Sequence, residues 1–184
     1  MAIPAGTYRL GPDTGTLTVK TGRTGAASKA GHDLTIEVTS WHASLAVGVG
    51  PTDTSITLTA DGASLEVLDG TGGMQALGDD DRASIRQTIA DDVLKRQEIT
   101  FRSTRVRPGG DGGLHVEGNL ELFGKARPTA FDVASGDDGT LTATVVVKQT
   151  DFGMKPYSAL FGALKVADEV SVSLAAKLPV TQSL

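Results

Sequence analysis

Three histidines are the side chains of this chain best suited to move a proton near neutral pH. His42 and His115 fall on the polar side of alternating segments, opposite Leu and Val residues, which predicts that they face solvent. His32 shares its side of the chain with Leu34 and Ile36, so we expect its ring to point inward or to lie at the end of a barrel. Such a ring either hydrogen-bonds a backbone carbonyl, or serves as a polar anchor for a ligand head group or as a general base.

Other residue patterns that support catalysis or metal binding are missing from the sequence. It has no Cys, which excludes disulfides, thiolate chemistry and Cys-ligated metal sites. It has no Gly-x-Ser-x-Gly turn and no His-Glu-x-x-His motif. The acidic run at 79–81 suits a helix N-terminus better than a cation, because adjacent carboxylates rarely converge on one ion. We therefore expect no cofactor, no metal site and no catalytic residues; a small enzyme pairing His32 with Asp33 or Asp151 is the alternative.

Composition and charge restrict the classes of partner. A chain of 184 residues with 39% hydrophobic and 21% charged residues is most simply one globular domain, 1–184. Its net charge is −5 and it has no basic stripe, so nucleic acid is not an expected partner. No stretch approaches about 18 uninterrupted apolar residues, and the first residues lack the features of a signal peptide. We therefore expect a cytoplasmic protein without a membrane span.

Most of the chain alternates apolar and polar residues with a period of two, which is typical of half-buried β-strands. Gly, Pro and Asp fill the gaps, for example at 108–113. Many short strands at regular spacing predict an all-β sandwich or barrel. Residues 79–94 differ, because Ile85, Ile89 and Val93 recur every four residues behind the acidic run. This spacing predicts one α-helix.

The segment 149–166 connects two strand patterns and yet is apolar. The chain has eight aromatic residues, and Phe152, Tyr157 and Phe161 all fall here. Connections between strands usually run over the surface and are polar. We therefore expect this segment to be either a plug buried under the sheet or part of the wall of a pocket.

A short helix or lid is predicted near 156–164. Pro156 suits the first turn of a helix, where its missing N–H costs nothing. Four apolar residues then follow at helical spacing and form one face: Tyr157, Leu160, Phe161 and Leu164. We expect this element to cover one mouth of a barrel, with the aromatic residues closest to any ligand. If it packs outward instead, it is a structural plug or a dimer contact.

Four motifs, in order and at suitable spacing, resemble those of one protein family. They are KAGHDLTIEV at 29–38, QEITFRST at 97–104, VEGNLELFGKARP at 116–128 and TDFGM at 150–154. Together they make residues 8–178 similar to the YceI-like family of lipocalin-like, polyisoprenoid-binding proteins. The chain departs from the family pattern at Gln97, which replaces a usual Pro. It departs again at Gln149-Thr150, which replaces an Arg-containing pair.

The resemblance implies an antiparallel up-and-down, lipocalin-like β-barrel of about eight strands. The interior of such a barrel is just wide enough to be filled or to hold one slim ligand. The resemblance further implies an amphiphile with a long isoprenoid tail, whose burial contributes about 0.8 kcal/mol per CH₂. The expected partner is thus a hydrophobic small molecule, a polyisoprenoid or lipid, and the family also suggests a homodimer.

The residues expected to bind this ligand are inward-facing side chains of the strands and the aromatic residues of the apolar connection. They are His32, Leu34, Ile36, Val38, Leu45, Val47, Phe101, Leu120, Leu122, Val145, Val147, Phe152, Tyr157 and Phe161. Alternation alone does not separate a lined cavity from a solid core. If the barrel is filled, the protein is instead a structural or interaction module.

Overall fold

Alternating aliphatic and β-branched residues form fourteen strands within residues 3–50 and 53–178, the part of the chain that the computed structural model describes. The strands are β1 Gly6–Leu10, β2 Gly15–Lys20, β3 Arg23–Thr24, β4 His32–Val38, β5 Trp41–Val47, β6 Ser55–Asp61, β7 Leu65–Gly72, β8 Glu98–Pro108, β9 Leu114–Leu122, β10 Lys125–Ser135, β11 Thr140–Lys148, β12 Ser158–Ala159, β13 Leu164–Val166 and β14 Glu169–Lys177.

Eleven of these strands form one curled antiparallel sheet, a half-barrel in the order β1-β5-β6-β8-β9-β10-β11-β14-β2-β4-β7. The predicted all-β, antiparallel, lipocalin-like class is confirmed. The strand count is higher than the expected eight. The difference arises partly because β12, β13 and β3 make a separate small sheet. Strands of two or three residues are too short to show a period of two in the sequence.

The predicted helix is present as α1, Asp79–Thr88, and continues through a π-helical turn over Ile89–Val93. The backbone N–H of Gly78 donates to Oδ2 of Asp81 at 3.0 Å, so the acidic run caps the helix as expected. Nη1 of Arg82 donates to the carbonyls of Val67 and Leu68 on the edge strand β7. These bonds cover an edge that would otherwise present unpaired backbone groups.

The hydrophobic core lies on the inner face of the curled sheet. Val116 of β9 is fully buried there, and Trp41 and Tyr8 are nearly so. The rings of Phe101 and Phe131 pack with their centroids 5.2 Å apart in a tilted arrangement. A second cluster of buried apolar side chains forms beside the main one and contains Leu122, Val147, Phe152 and Met154.

The apolar connection between β11 and β14 folds as a small hairpin rather than as a helix begun at Pro156. A 3₁₀ turn over Gln149–Phe152 is followed by β12, a second 3₁₀ turn over Leu160–Gly162, and β13. Val166 of β13 pairs with Arg23 of β3. Pairing with a segment far away in the sequence therefore overrides the local helical spacing of the apolar residues.

Candidate ligand-binding cavity

The curled sheet and α1 enclose a cavity of about 570 Å³. This volume falls in the usual range of small-molecule sites, about 300–1,000 Å³. Its wall is mostly aliphatic. It is built by inward-facing residues of ten strands, which are all the strands of the large sheet except β1. Ile85 and Ile89 of the helical segment complete it. Alternation positions these side chains, because every second residue of a strand points to the same face.

Eleven of the fourteen residues expected to bind ligand line this cavity. They are His32, Leu34, Ile36, Val38, Leu45, Phe101, Leu120, Leu122, Val145, Val147 and Tyr157. They come from six separate segments of the chain, which the curled sheet brings together around one space.

The structure places the other three expected residues outside the wall of the cavity. Val47 is partly buried and packs against the main core at the end of β5. Phe152 is buried in the second cluster, against side chains that do line the cavity. Phe161 is fully exposed, because it sits at the tip of the β12–β13 hairpin with a φ of 55°. The aromatic residues of the connection therefore have three different environments, and of these only Tyr157 lies on the cavity wall.

Several lining residues carry the same alternation as the expected ones but were not among them. Those on strands are Leu17, Val19, Ile56, Leu58, Phe131, Val133, Val172 and Leu174. The sequence shows which residues of each strand share a face of the sheet. It does not show which face is the inner one, because that depends on the strand order and hence on long-range pairing.

Polar and partly exposed residues gather where the small sheet meets the start of β4. Arg23, His32, Tyr157 and Lys165 line the cavity there. Lys165 and Tyr157 are also exposed to solvent, so the cavity reaches the surface at this point. We call these four residues the mouth of the cavity.

His32 is held at the mouth by a backbone carbonyl. Its Nε2 lies 2.7 Å from the carbonyl oxygen of Gln75. Because a carbonyl only accepts hydrogen bonds, Nε2 carries the proton and donates. Gly73 makes room for this ring, since a Cβ there would lie 2.3 Å from Nε2 and the φ of this residue is +74°. This geometry matches the first interpretation of His32, a ring that hydrogen-bonds a backbone carbonyl.

Arg23 ties the segments of the mouth together. Its Nη1 donates to the carbonyl of Gly31 and, at 3.3 Å, to that of Thr71 at the end of β7. Its Nε lies 3.8 Å from Oδ1 of Asp33. One guanidinium therefore links β3, β4 and β7, as its several donors in a fixed plane allow.

Gln149 is a buried polar side chain on the cavity wall, with 6% of its surface exposed. Its Nε2 donates to the carbonyl of Ala167 at 2.9 Å, so the amide closes the base of the apolar connection. This residue belongs to the pair Gln149-Thr150, which stands where the motif that this segment resembles has an Arg-containing pair. A neutral amide can occupy such a site without the cost of burying a charge.

The carboxylate of Asp168 also joins the two ends of the apolar connection between β11 and β14. The hydroxyl of Thr150 donates to Oδ2 at 2.6 Å, and the backbone N–H of Thr150 donates to Oδ1 at 2.8 Å. These bonds, led by that of the hydroxyl, hold the pKa of the Asp168 carboxyl below its ordinary value of 3.8.

Asp168→Asn is expected to destabilise the protein near neutral pH but not in strong acid. A carboxyl whose pKa is lower in the folded state stabilises the fold above its unfolded pKa, and this contribution is lost as the pH falls through the folded pKa. Urea unfolding of both proteins should therefore show a difference near neutral pH that shrinks below the ordinary carboxyl pKa of 3.8. A difference that is the same at both pH values would contradict this role.

Residues 3–50 and 53–178 contain no group of three or more His, Asp or Glu side chains placed to hold a metal ion. Within the same residues, no helix has the length and apolar character needed to cross a membrane.

Solved structures of known proteins share this fold. BcnA from Burkholderia cenocepacia is 19% identical, with a TM-score of 0.61, over 86% of this chain and 94% of BcnA. A polyisoprenoid binding domain from Saccharophagus degradans, implicated in plant cell wall breakdown, is 10% identical with a TM-score of 0.54, over 96% of this chain and 100% of that domain. A mutant CJ YCEI protein with a monobromobimane guest is 15% identical with a TM-score of 0.54, over 77% of this chain and 82% of its own.

At these identities the structural likeness shows the fold alone. No curated protein matches the chain. The sequence itself matches the model of the YceI-like domain over residues 8–178, which is nearly the whole chain and includes all four motifs and the wall of the cavity. The chain therefore belongs to the YceI-like domain family.

Proposed function

We propose that the protein binds one isoprenoid or fatty amphiphile inside the barrel and stores, carries or sequesters it. The observation that carries this proposal is the cavity, whose wall is mostly apolar and which has the charged and hydrogen-bonding side chains of Arg23, His32, Tyr157 and Lys165 at its mouth. Such a distribution suits a molecule with an apolar tail and a polar head. Burial of each CH₂ contributes about 0.8 kcal/mol, so a tail of about ten such groups contributes roughly 8 kcal/mol before ordering costs.

A solved structure of the same fold supports the proposal. The Saccharophagus degradans structure is named as a polyisoprenoid binding domain. In our protein the tail would lie along the inward faces of β4, β9 and β11, and the head group would lie among Arg23, His32, Tyr157 and Lys165.

The test is to identify what the cavity holds. Organic extracts of the purified protein are analysed by mass spectrometry, and the delipidated protein is then titrated with polyprenyl and fatty-acyl probes. We expect a co-purifying amphiphile, or saturable binding of at least one probe class at one molecule per chain. If the extract contains no lipid and neither probe class binds, the proposal is wrong.

Neither alternative function has comparable support from the geometry. The enzyme considered above would pair His32 with Asp33 or Asp151, but Asp33 lies beside Arg23 and His32 bonds a carbonyl. Asp151 is exposed and does not line the cavity. Neighbouring residues of a strand also point to opposite faces, which separates Asp33 from the His32 ring. A purely structural module would need a filled barrel, whereas this one encloses about 570 Å³.

A further inference from the structure

The tip of the β12–β13 hairpin presents two large apolar side chains to solvent. Phe161 is fully exposed and 56% of Leu160 is exposed. Both have left-handed backbones, with φ of 51° for Leu160 and 55° for Phe161, and Gly162 follows at 87°. Consecutive left-handed residues other than Gly are rare because the Cβ crowds the backbone. The pairing of Ala159 with Leu164 holds the turn in this conformation, so the fold bears strain in order to display these two residues.

The surroundings of this apolar tip, Leu160–Gly162, are basic. Lys155 and Lys165 flank it and are exposed. The 3₁₀ turn that carries Lys29 lies against β13, since the N–H of Ala27 donates to the carbonyl of Ala163 at 2.9 Å. Residues 22–32 and 152–167 contain no Asp or Glu, although the chain as a whole has a net charge of −5. Within these two ranges every charged side chain is therefore basic, and the nearest carboxylates along the chain, those of Asp33, Asp151 and Asp168, lie just outside them.

The apolar tip is also continuous with the mouth of the cavity. Tyr157, Leu164 and Lys165 lie within a few residues of Phe161 and line the cavity. A surface that faces the tip would thus lie beside the opening through which a ligand enters or leaves.

We propose that the apolar tip docks the protein on an anionic lipid bilayer. Leu160 and Phe161 would enter the boundary between head groups and acyl chains, and the lysines would contact the anionic head groups. Exposed aromatic and aliphatic residues combined with basic ones are the usual features of surfaces that bind membrane interfaces. Docking would place the mouth against the membrane. The docking itself does not depend on the function proposed for the cavity.

Two observations favour a bilayer over a protein partner as the occupant. The exposed apolar area consists of two side chains, whereas a stable protein interface buries about 800 Å² on each partner. A symmetric contact between two copies would also bring the two sets of lysines together, and like charges repel. A bilayer needs no such area and supplies the opposite charge.

The first test places an environment-sensitive fluorophore on the tip. The chain has no Cys, so Phe161→Cys provides a single labelling site. Delipidated full-length protein is mixed with vesicles of equal parts phosphatidylcholine and phosphatidylglycerol, and with vesicles of phosphatidylcholine alone. We expect a blue shift and an intensity increase with the anionic vesicles. The same label at Val49→Cys, an apolar position that is 98% exposed after β5, should show neither. An unchanged spectrum at position 161 would overturn the proposal.

The second test measures binding of unlabelled variants by co-sedimentation with the same vesicles. The pair Leu160→Ser and Phe161→Ser, made together, should reduce partitioning at least ten-fold. Each of Lys155→Gln and Lys165→Gln should reduce it roughly five-fold at low salt. The control Lys177→Gln, on β14, should have no effect. Equal partitioning of wild type and the double variant would overturn the proposal. So would self-association in sedimentation velocity that the double variant abolishes, since it would assign the tip to a second copy.

Discussion

Ala143→Trp is expected to weaken binding of a long-chain amphiphile by roughly 100-fold. Ala143 lies on β11, between Val133 of β10 and Leu174 of β14, and its small side chain leaves room in the cavity. An indole at this position would occupy space that the ligand tail needs. Displacing about three or four CH₂ groups removes about 2.5–3 kcal/mol of burial, and each 1.4 kcal/mol is a factor of ten in Kd.

The matched control for this variant is Val146→Trp. Val146 is on the same strand but points outward, with 60% of its surface exposed. The Val146→Trp variant therefore adds the same indole side chain, but outside the cavity. Affinities are measured by titrating the delipidated proteins with a polyprenyl probe, and circular dichroism confirms that both variants fold. A folded Ala143→Trp protein with wild-type affinity would show that the ligand does not use this part of the cavity.

The strands and the helix could be predicted because their signals are local. On β4 the side chains of Leu34, Ile36 and Val38 alternate with polar ones, and the structure places all three on the cavity wall. The helix follows from the spacing of Ile85 and Ile89 behind a capping carboxylate. In each case the residues that specify the element lie within a few positions of one another.

The strand order could not be predicted in this way because it depends on contacts between distant parts of the chain. Val19 of β2 pairs with Val172 of β14 on one side and with Ile36 of β4 on the other. No local pattern specifies such pairing. The side chains of β2 and β14 therefore lie outside the site expected from the sequence, although their alternation is plain.

The apolar connection shows a second limit of sequence patterns. Tyr157, Leu160, Phe161 and Leu164 have helical spacing, and apolar residues are expected to be buried. The hairpin instead separates them, with Tyr157 and Leu164 on the cavity wall and Leu160 and Phe161 in solvent. The left-handed turn that causes this separation is closed by the pairing of β12 with β13, and β13 in turn pairs with the distant β3. Whether a barrel is hollow is likewise a property of the summed side-chain volumes and not of the alternation.

Gly118→Ala is expected to destabilise the fold by about 2–3 kcal/mol, the usual cost of adding atoms to a well-packed site. Gly118 lies on β9 opposite Ser103, next to an irregularity in the pairing with β8. A Cβ there would lie 2.5 Å from the carbonyl oxygen of Arg102 and 2.5 Å from Cζ of Phe101. The backbone of β8 cannot move without disturbing its pairing. The ring of Phe101 is held against Phe131, so neither neighbour can give way cheaply.

Gly110→Ala is the control for this substitution. It makes the same chemical change in the β8–β9 loop, where nothing lies within 4 Å of the added Cβ. Its stability should equal or slightly exceed that of the wild type, because Ala restricts the unfolded chain more than Gly does. Urea unfolding of the three proteins separates the steric effect from the loss of backbone freedom. If Gly118→Ala is as stable as Gly110→Ala, the close approach of β8 and β9 at Gly118 does not constrain the fold.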